Sequence, residues 1–199
     1  MLKKTVRIFV AAIFIMLVLT ACDTEYAFPM ENTIILAKNG TVIENLTETF
    51  EQDYYDADEL KNDIETAISN YCDMHGGKGA ELKSFNLSDQ YVLAQILFDS
   101  SADMSDFQNE DVFFGTVSEA YDEGYLEDIS LKSTSDGTMV GKAEIMDDPD
   151  KHIFIIGSAY RVDAYTNIAF VSQNVEVIDE NSARVTEDST DTAFFLLTK

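Results

Sequence analysis

The chain of 199 residues is poor in several residue types that carry chemistry. It has two histidines, two cysteines, two prolines and no tryptophan. Two histidines leave little material for a histidine-activated nucleophile or a histidine-rich zinc site, and neither His-Glu-x-x-His nor Gly-x-Ser-x-Gly occurs. Sugar sites often stack on tryptophan, so its absence counts against them, although tyrosine can serve instead. We therefore predict no catalytic residues, no metal ligands and no cofactor.

Basic residues are also scarce. The chain has 13 lysines and arginines against 37 aspartates and glutamates, which gives a formal net charge of −24. Such a charge disfavours nucleic acid and anionic lipid headgroups as partners. It is compatible with a cationic partner or divalent cations, and a solvated acidic surface is its simplest explanation. The apolar content of 46% still predicts a packed core.

The N-terminus has the parts of a secretory signal peptide. Three basic residues within positions 1–7 precede an uninterrupted apolar run at 8–19, and LTAC occupies 19–22. A helix of this length spans about 18 Å, against about 30 Å for the hydrocarbon core of a bilayer. The run is therefore too short for a comfortable transmembrane span.

The tetrapeptide LTAC resembles the lipobox of bacterial lipoproteins, in which an aliphatic residue, a small residue, and Gly, Ala or Ser precede a cysteine. The resemblance implies cleavage before Cys22, diacylation of its sulfur by fatty acids such as palmitate, and attachment to the extracytoplasmic face of the cell membrane. Two acyl chains anchor a protein stably where one does not. The alternatives are an ordinary cysteine near a signal peptidase site, or an uncleaved anchor at 8–21.

These signals predict the domain organisation. Residues 1–21 are the signal peptide, residues 22–31 are the lipidated cysteine with a tether, and residues 32–199 form a single α+β domain. A soft subdomain boundary is predicted near 147–151, around Pro149. Removing residues 1–21, which carry three basic and no acidic residues, would take the net charge from −24 to −27.

Local patterns predict an α+β fold with a mainly antiparallel sheet, one longer helix at about 56–74, short helices and a β-rich C-terminal third. Asn39-Gly40 between two β-branched runs predicts a hairpin in which both turn residues have positive φ. Asp56 is the expected N-cap of the long helix, and glycines after His75 end it. Strands are expected at 80–87, 91–98, 129–133, 152–156, 159–162, 168–172, 175–178, 183–186 and 192–197, and short helical segments at 103–109 and 116–121.

This order also resembles small lipoproteins of unknown function from Gram-positive anaerobes. The likeness is carried by the helix at 56–71, by FGTVSEAY at 114–121 and by NVEVID at 174–179. It implies no known activity.

Four groups of residues are candidate sites. Cys72 and His75 could bind a metal or form a thiol–imidazole pair, but a buried thiol and a helix C-terminus explain them more simply. The glycine-rich stretch at 75–79 follows a helix, which is the wrong end for an anion. Acidic residues could bind calcium, and tyrosines could contact a ligand. The acidic candidates are Glu51, Asp53, Asp56, Asp58 and Glu59, with Asp147, Asp148 and Asp150; the tyrosines are Tyr54, Tyr55, Tyr121, Tyr125, Tyr160 and Tyr165.

The preferred functional hypothesis is a non-catalytic, lipid-anchored binding module that contacts an envelope protein or polymer. The alternative is a lipoprotein that binds a small solute or a divalent cation, which a partly apolar pocket with convergent polar groups would favour. A third hypothesis is a cell-wall hydrolase with two carboxylates, which requires one strongly raised carboxylate pKa inside a cleft.

Overall fold

The structure is a computed structural model that describes residues 31–50, 56–88, 91–187 and 189–198. The described residues form thirteen strands and four helices, and all but one of the strand pairings are antiparallel. The predicted α+β fold with one longer helix and a β-rich C-terminal part is thereby confirmed. Cys22 and the other residues at 1–30 lie outside the described residues.

The elements follow one another along the chain with short connections. The helices are α1 (Ala57–Met74), α2 (Ser101–Gln108), α3 (Val117–Asp122) and α4 (Lys142–Met146). The strands are β1 (Thr33–Leu36), β2 (Val42–Thr49), β3 (Ala80–Ser88), β4 (Tyr91–Phe98), β5 (Val112–Thr116), β6 (Ser130–Ser133), β7 (Met139–Gly141), β8 (His152–Ile156), β9 (Arg161–Ala164), β10 (Ile168–Val171), β11 (Val175–Val177), β12 (Ser182–Val185) and β13 (Ala193–Leu197).

The strands divide between two sheets. A seven-stranded sheet has the order β11-β12-β9-β1-β2-β4-β3, and a six-stranded sheet has the order β5-β8-β13-β10-β6-β7. Within the first sheet β1 pairs with β9 in parallel, while its other neighbour β2 is antiparallel. Strand β4 lies one place from the β3 edge.

Two apolar clusters hold the layers together. The larger one joins the facing surfaces of the two sheets, with Phe98, Phe154 and Phe195 fully buried among aliphatic side chains. The smaller one lies on the opposite surface of the six-stranded sheet, where α3, α4 and the segment at 125–129 cover it. Strand β8 is covered on both faces, which explains its continuous apolar sequence.

The first hairpin forms, but its turn differs from the expected one. The Gly40 N–H donates to the Ala37 carbonyl and the Ala37 N–H donates to the Thr41 carbonyl, each over 3.0 Å. Gly40 has a φ of 90°, whereas Asn39 is not among the residues with positive φ. A three-residue loop with a single left-handed glycine therefore replaces the two-residue turn that was predicted.

The long helix begins and ends where the sequence indicates. Asp56 Oδ1 accepts hydrogen bonds from the backbone N–H groups of Asp58 and Glu59, over 2.9 and 3.1 Å. His75 is the C-cap, and Gly76 and Gly77 follow with φ values of 73° and 82°. These caps satisfy backbone groups that a helix leaves unpaired at its ends.

Three elements were not predicted, and two strands are displaced. The sequence patterns missed β5, β7 and α4, and they placed β9 two residues too early and β12 one residue too late. α2 is a helix of 8 residues that starts before the expected helical segment. Across the described ranges, no helix is long and apolar enough to cross a membrane.

Candidate functional site

The described residues form a cleft of about 770 Å³ beside α2 and β5. One wall is α2, the floor is β5, and the opposite side is the start of α3 together with Tyr125. Ser100 caps α2 by accepting a hydrogen bond from the Asp103 N–H over 3.2 Å, and Asn109 ends the helix with a φ of 52°. The left-handed residue turns the chain sharply, so β5 returns directly beside α2. We call this recess the first cleft.

One side chain of α2 and one of α3 each accept a hydrogen bond from the outer edge of β5. Ser101 Oγ accepts from the Phe114 N–H over 2.8 Å, and Glu119 Oε2 accepts from the Thr116 N–H over 2.7 Å. These two amides lie on the edge of β5 that faces away from β8, where an added strand would pair. The edge is therefore occupied by side chains, and a ligand in the first cleft meets side chains instead of an open strand.

The charge of the first cleft is of one sign. Five carboxylates line it, and none of its lining residues is Lys, Arg or His. The five are Asp106, Glu110, Asp111, Glu119 and Glu123. Because like charges repel and a concave wall focuses their field, the first cleft is a region of negative potential.

Some of these carboxylates have partners within the protein. Thr116 donates to Glu119 from its backbone and its hydroxyl, which lowers the pKa of Glu119. Asp106 lies 3.2 Å from Nε2 of His75. In the part of the chain that the structure describes, no Lys or Arg forms an ion pair with any of the five. The first cleft therefore keeps most of its negative charge uncompensated.

Aromatic rings line the same recess beside the carboxylates. The rings of Phe113 and Tyr125 lie 5.2 Å apart between centroids, and Tyr125 Oη donates to Asp111 Oδ1 over 2.6 Å. Burial, and then this hydrogen bond, raise the pKa of Tyr125. A Cβ at Gly115 would lie 2.7 Å from Phe113 Cζ, so a side chain there would displace the ring. Carboxylates beside aromatic faces are the combination that organic cations bind.

A buried glutamate lies behind the first cleft. Glu44, on β2, is fully buried in the core, where it faces Ile34 and Ile96 across the sheet. Tyr160 Oη donates to Glu44 Oε1 over 2.5 Å, and Gln108 Nε2 donates to Glu44 Oε2 over 2.8 Å. Burial raises the pKa of Glu44, the charge of Glu110 raises it further, and the two donors act in the opposite direction.

Glu110 connects the buried glutamate to the first cleft. It lines the first cleft, yet its Oε1 atom is buried and, among the described residues, has no hydrogen-bond partner. Glu44 itself does not line the first cleft. The carboxyl with the raised pKa is therefore in the core and is not accessible from the first cleft. The hydrolase hypothesis requires such a carboxyl inside a cleft, so this requirement is met only in part.

The cysteine and histidine of the α1 terminus have separate partners. Cys72 Sγ lies 3.2 Å from the Ala80 carbonyl, while His75 Nδ1 lies 2.8 Å from the Tyr71 carbonyl. The His75 ring stacks on Tyr71 with centroids 4.1 Å apart. The structure thus places the thiol and the imidazole in different contacts: Cys72 is half-buried against the core, and His75 caps the helix.

The predicted acidic clusters form no metal site among the residues that the structure describes. Residues 51–55, with Glu51 and Asp53, lie outside the described residues, and Asp56 is occupied as the cap of α1. Asp148 lies 3.8 Å from Lys151 Nζ. Within the described ranges, no three His, Cys, Asp or Glu side chains are placed to hold a metal ion.

The candidate tyrosines have different surroundings. Tyr121 is exposed beneath Lys142 Nζ, 4.4 Å from the ring centroid, and Tyr165 Oη lies 2.8 Å from His152 Nδ1. Tyr160 binds the buried Glu44, and Tyr125 lines the first cleft. Tyr54 and Tyr55 lie outside the described residues. Of the four that the structure describes, Tyr125 is the one that lines the first cleft.

Most residues of the first cleft were not singled out from the sequence. The carboxylates come from different segments of the chain that only tertiary packing brings together. They are Asp106, Glu110, Asp111, Glu119 and Glu123. The local capping pattern at 116–119 was recognised as a helix start and not as part of a site.

No family model, no curated protein and no solved structure matches this chain.

Proposed function

We propose that this chain is a lipid-anchored, extracytoplasmic, non-catalytic binding protein, and that its first cleft takes a cationic ligand. The anchor is supported by the lipobox at residues 19–22. The ligand class is supported by one observation above all: five carboxylates and no basic side chain line the first cleft. An envelope protein or polymer that carries ammonium or guanidinium groups has the matching chemistry.

The physical case for a cation rests on charge and on aromatic surface. Two unit charges 4 Å apart interact by about 4 kcal/mol at an effective dielectric constant of 20, so grouped carboxylates repel one another until a cation neutralises them. The faces of Tyr125 and Phe113 add an attraction of about 0.5–1 kcal/mol for a cation at an exposed site. Nucleic acid and other polyanions have the wrong charge for this recess.

The anchor is tested by replacing the cysteine that would carry the lipid. In Cys22→Ala, we expect the signal peptide to remain uncleaved by the lipoprotein-specific route and labelled palmitate to be absent from the protein. Membrane fractions, gel mobility and palmitate labelling measure these outcomes. Equal palmitate labelling of the variant and the parent would contradict the anchor.

The ligand class is tested with a short cationic probe, N-acetyl-dilysine amide, and the full chain in detergent. The variant Asp111→Asn/Glu123→Gln removes two exposed charges from the first cleft and keeps the oxygen that accepts from Tyr125. Exposed ion pairs contribute about 0.2–1 kcal/mol each, so we expect the dissociation constant from calorimetry to rise about two- to thirtyfold.

The matched control removes the same charge far from the first cleft. Asp58→Asn/Asp63→Asn neutralises two exposed acids in the first half of α1. His75 contacts Asp106 of the first cleft, so it marks the end of α1 that is near the cleft. At 1.5 Å per residue, Asp63 lies about 18 Å along the helix from His75, which is beyond two Debye lengths at 0.15 M salt. We expect less than a twofold change, and equal effects of the two double variants would contradict the proposal.

A further inference from the structure

A second cleft, of about 510 Å³, adjoins the first, and the two share Tyr125. Its remaining wall comes from the segment before β6, the loop between β10 and β11, and the start of β13. The lining residues that the argument uses are Asp128, Ser172, Asn174, Asp191 and Phe194. The two clefts thus lie side by side with one aromatic ring between them.

The chemistry of the second cleft continues that of the first. Asp128 and Asp191 are exposed carboxylates, and again no lining residue is Lys, Arg or His. In the described parts of the chain, no cation pairs with either of them. Ile129 and Phe194 supply apolar surface between the polar groups.

Hydrogen bonds fix the wall of the second cleft. Ser172 Oγ accepts from the Phe194 N–H over 3.0 Å and donates to Asn174 Oδ1 over 2.6 Å. Asn174 Nδ2 then donates to the Asp191 carbonyl over 2.8 Å. The backbone of Asp191 and of Phe194 is therefore held in place, and the second cleft is a built recess instead of a gap between loose loops.

We propose that the two clefts form one groove that binds an extended basic segment of another polypeptide. This inference rests on the proposed function, because it extends the cationic ligand of the first cleft across Tyr125 into the second. Carboxylates distributed over two adjoining recesses fit several positive charges spaced along a chain better than one compact cation. Each recess alone already has the size of a pocket for a single small ligand.

The groove recognises such a segment through side chains. The outer-edge amides of Phe114 and Thr116 are already bonded to Ser101 and Glu119, so the segment does not add a strand to β5. Lysine and arginine carry charged groups on long apolar stems, which suit a groove that alternates carboxylates with the rings of Tyr125 and Phe194. An extended segment of six residues spans about 20 Å.

The test compares probes of different length on the full chain in detergent at 0.15 M salt. The probes are N-acetyl-dilysine amide, N-acetyl-hexalysine amide and spermine. The second-cleft variant is Asp128→Asn/Asp191→Asn, and it has the same charge change as the first-cleft variant Asp111→Asn/Glu123→Gln and the α1 control. Fluorescence anisotropy or calorimetry gives the dissociation constants.

We expect hexalysine to bind at least tenfold more tightly than dilysine. The second-cleft variant should raise the dissociation constant of hexalysine at least fivefold and that of dilysine less than twofold. The α1 control should change both dissociation constants less than twofold. If the second-cleft variant affects hexalysine no more than the α1 control does, the extended groove is wrong. If spermine binds as tightly as hexalysine and loses the same affinity in the second-cleft variant, the ligand is a small polyamine and not a polypeptide segment.

The same measurements separate this inference from the proposed function. If dilysine binding depends on the first-cleft carboxylates but hexalysine binding is unchanged in the second-cleft variant, the proposed cationic site is retained and the extended groove is wrong. When dilysine is equally insensitive to the first-cleft pair and to the α1 control, both fail together.

Discussion

The buried Glu44 makes the stability of the fold depend on pH in a direction that the structure fixes. We consider Glu44→Gln, which keeps the shape of the side chain and removes its ability to ionise. Glutamine can still accept the hydrogen bond from Tyr160, and the Gln108 amide can turn to present its oxygen. The change therefore isolates the charge of Glu44 from the packing of the core.

The sign follows from burial. Because burial raises the pKa of Glu44 above its unfolded value of about 4.3, the unfolded chain releases this proton first as the pH rises. The stability that the neutral carboxyl contributes is fully present below pH 4.3 and is lost as the pH rises through the folded pKa. Each unit by which the folded pKa exceeds the unfolded pKa corresponds to about 1.4 kcal/mol.

Thermal or urea unfolding of Glu44→Gln and the parent at several pH values measures this difference. We expect equal stability near pH 4 and a more stable variant at pH 7, by about 2–4 °C in melting temperature for each kcal/mol. The control is Glu48→Gln, an exposed glutamate on the same face of β2, which should change stability little at either pH. A variant that is less stable than the parent at pH 7 would show that Tyr160 and Gln108 more than compensate for burial.

Two other predictions concern the contacts that shape the site. Gly79→Ala should destabilise the protein by more than about 1 kcal/mol in urea unfolding, because Gly79 has a φ of 110° and the new Cβ would lie 2.6 Å from Tyr71 Cε1. Gly77→Ala, at a φ of 82° with open space around it, should lower the free energy of unfolding by less. Equal losses of stability in the two variants would mean that the Tyr71 ring moves aside without cost. Ser101→Ala should cost about 1–3 kcal/mol and speed hydrogen exchange at the Phe114 N–H, since that amide loses its acceptor. Unchanged exchange at Phe114 would mean that Ser101 does not hold α2 against β5.

The elements that local signals specify were predictable from the sequence. Asp56 and the glycines after His75 fix both ends of α1, and the apolar runs of β8 and β13 stand out because both faces of each strand are covered. The strand β5 was not predictable, because its pairing with β8 joins residues about 40 positions apart and its last residues match a helix-start pattern.

The site could be predicted only in its general chemistry. With 37 acidic residues in the chain, composition indicates a cationic partner but does not locate one. Asp106 and Glu123 face the same recess because β5 brings α2 and α3 to one edge of a sheet. Glu44 carried a readable signal: it occurs in phase with Val42 and Leu46 on one face of β2, where a charged residue interrupts an apolar alternation.

The most direct test of the central claim is an experimental structure of the full chain with bound N-acetyl-dilysine amide. We predict a lysine ammonium nitrogen about 3 Å from a carboxylate oxygen of Asp111 or Glu123 and within about 6 Å of the Tyr125 ring centroid. A dipeptide bound away from the first cleft, for example on the acidic first half of α1, would contradict the claim that this recess is the cationic site.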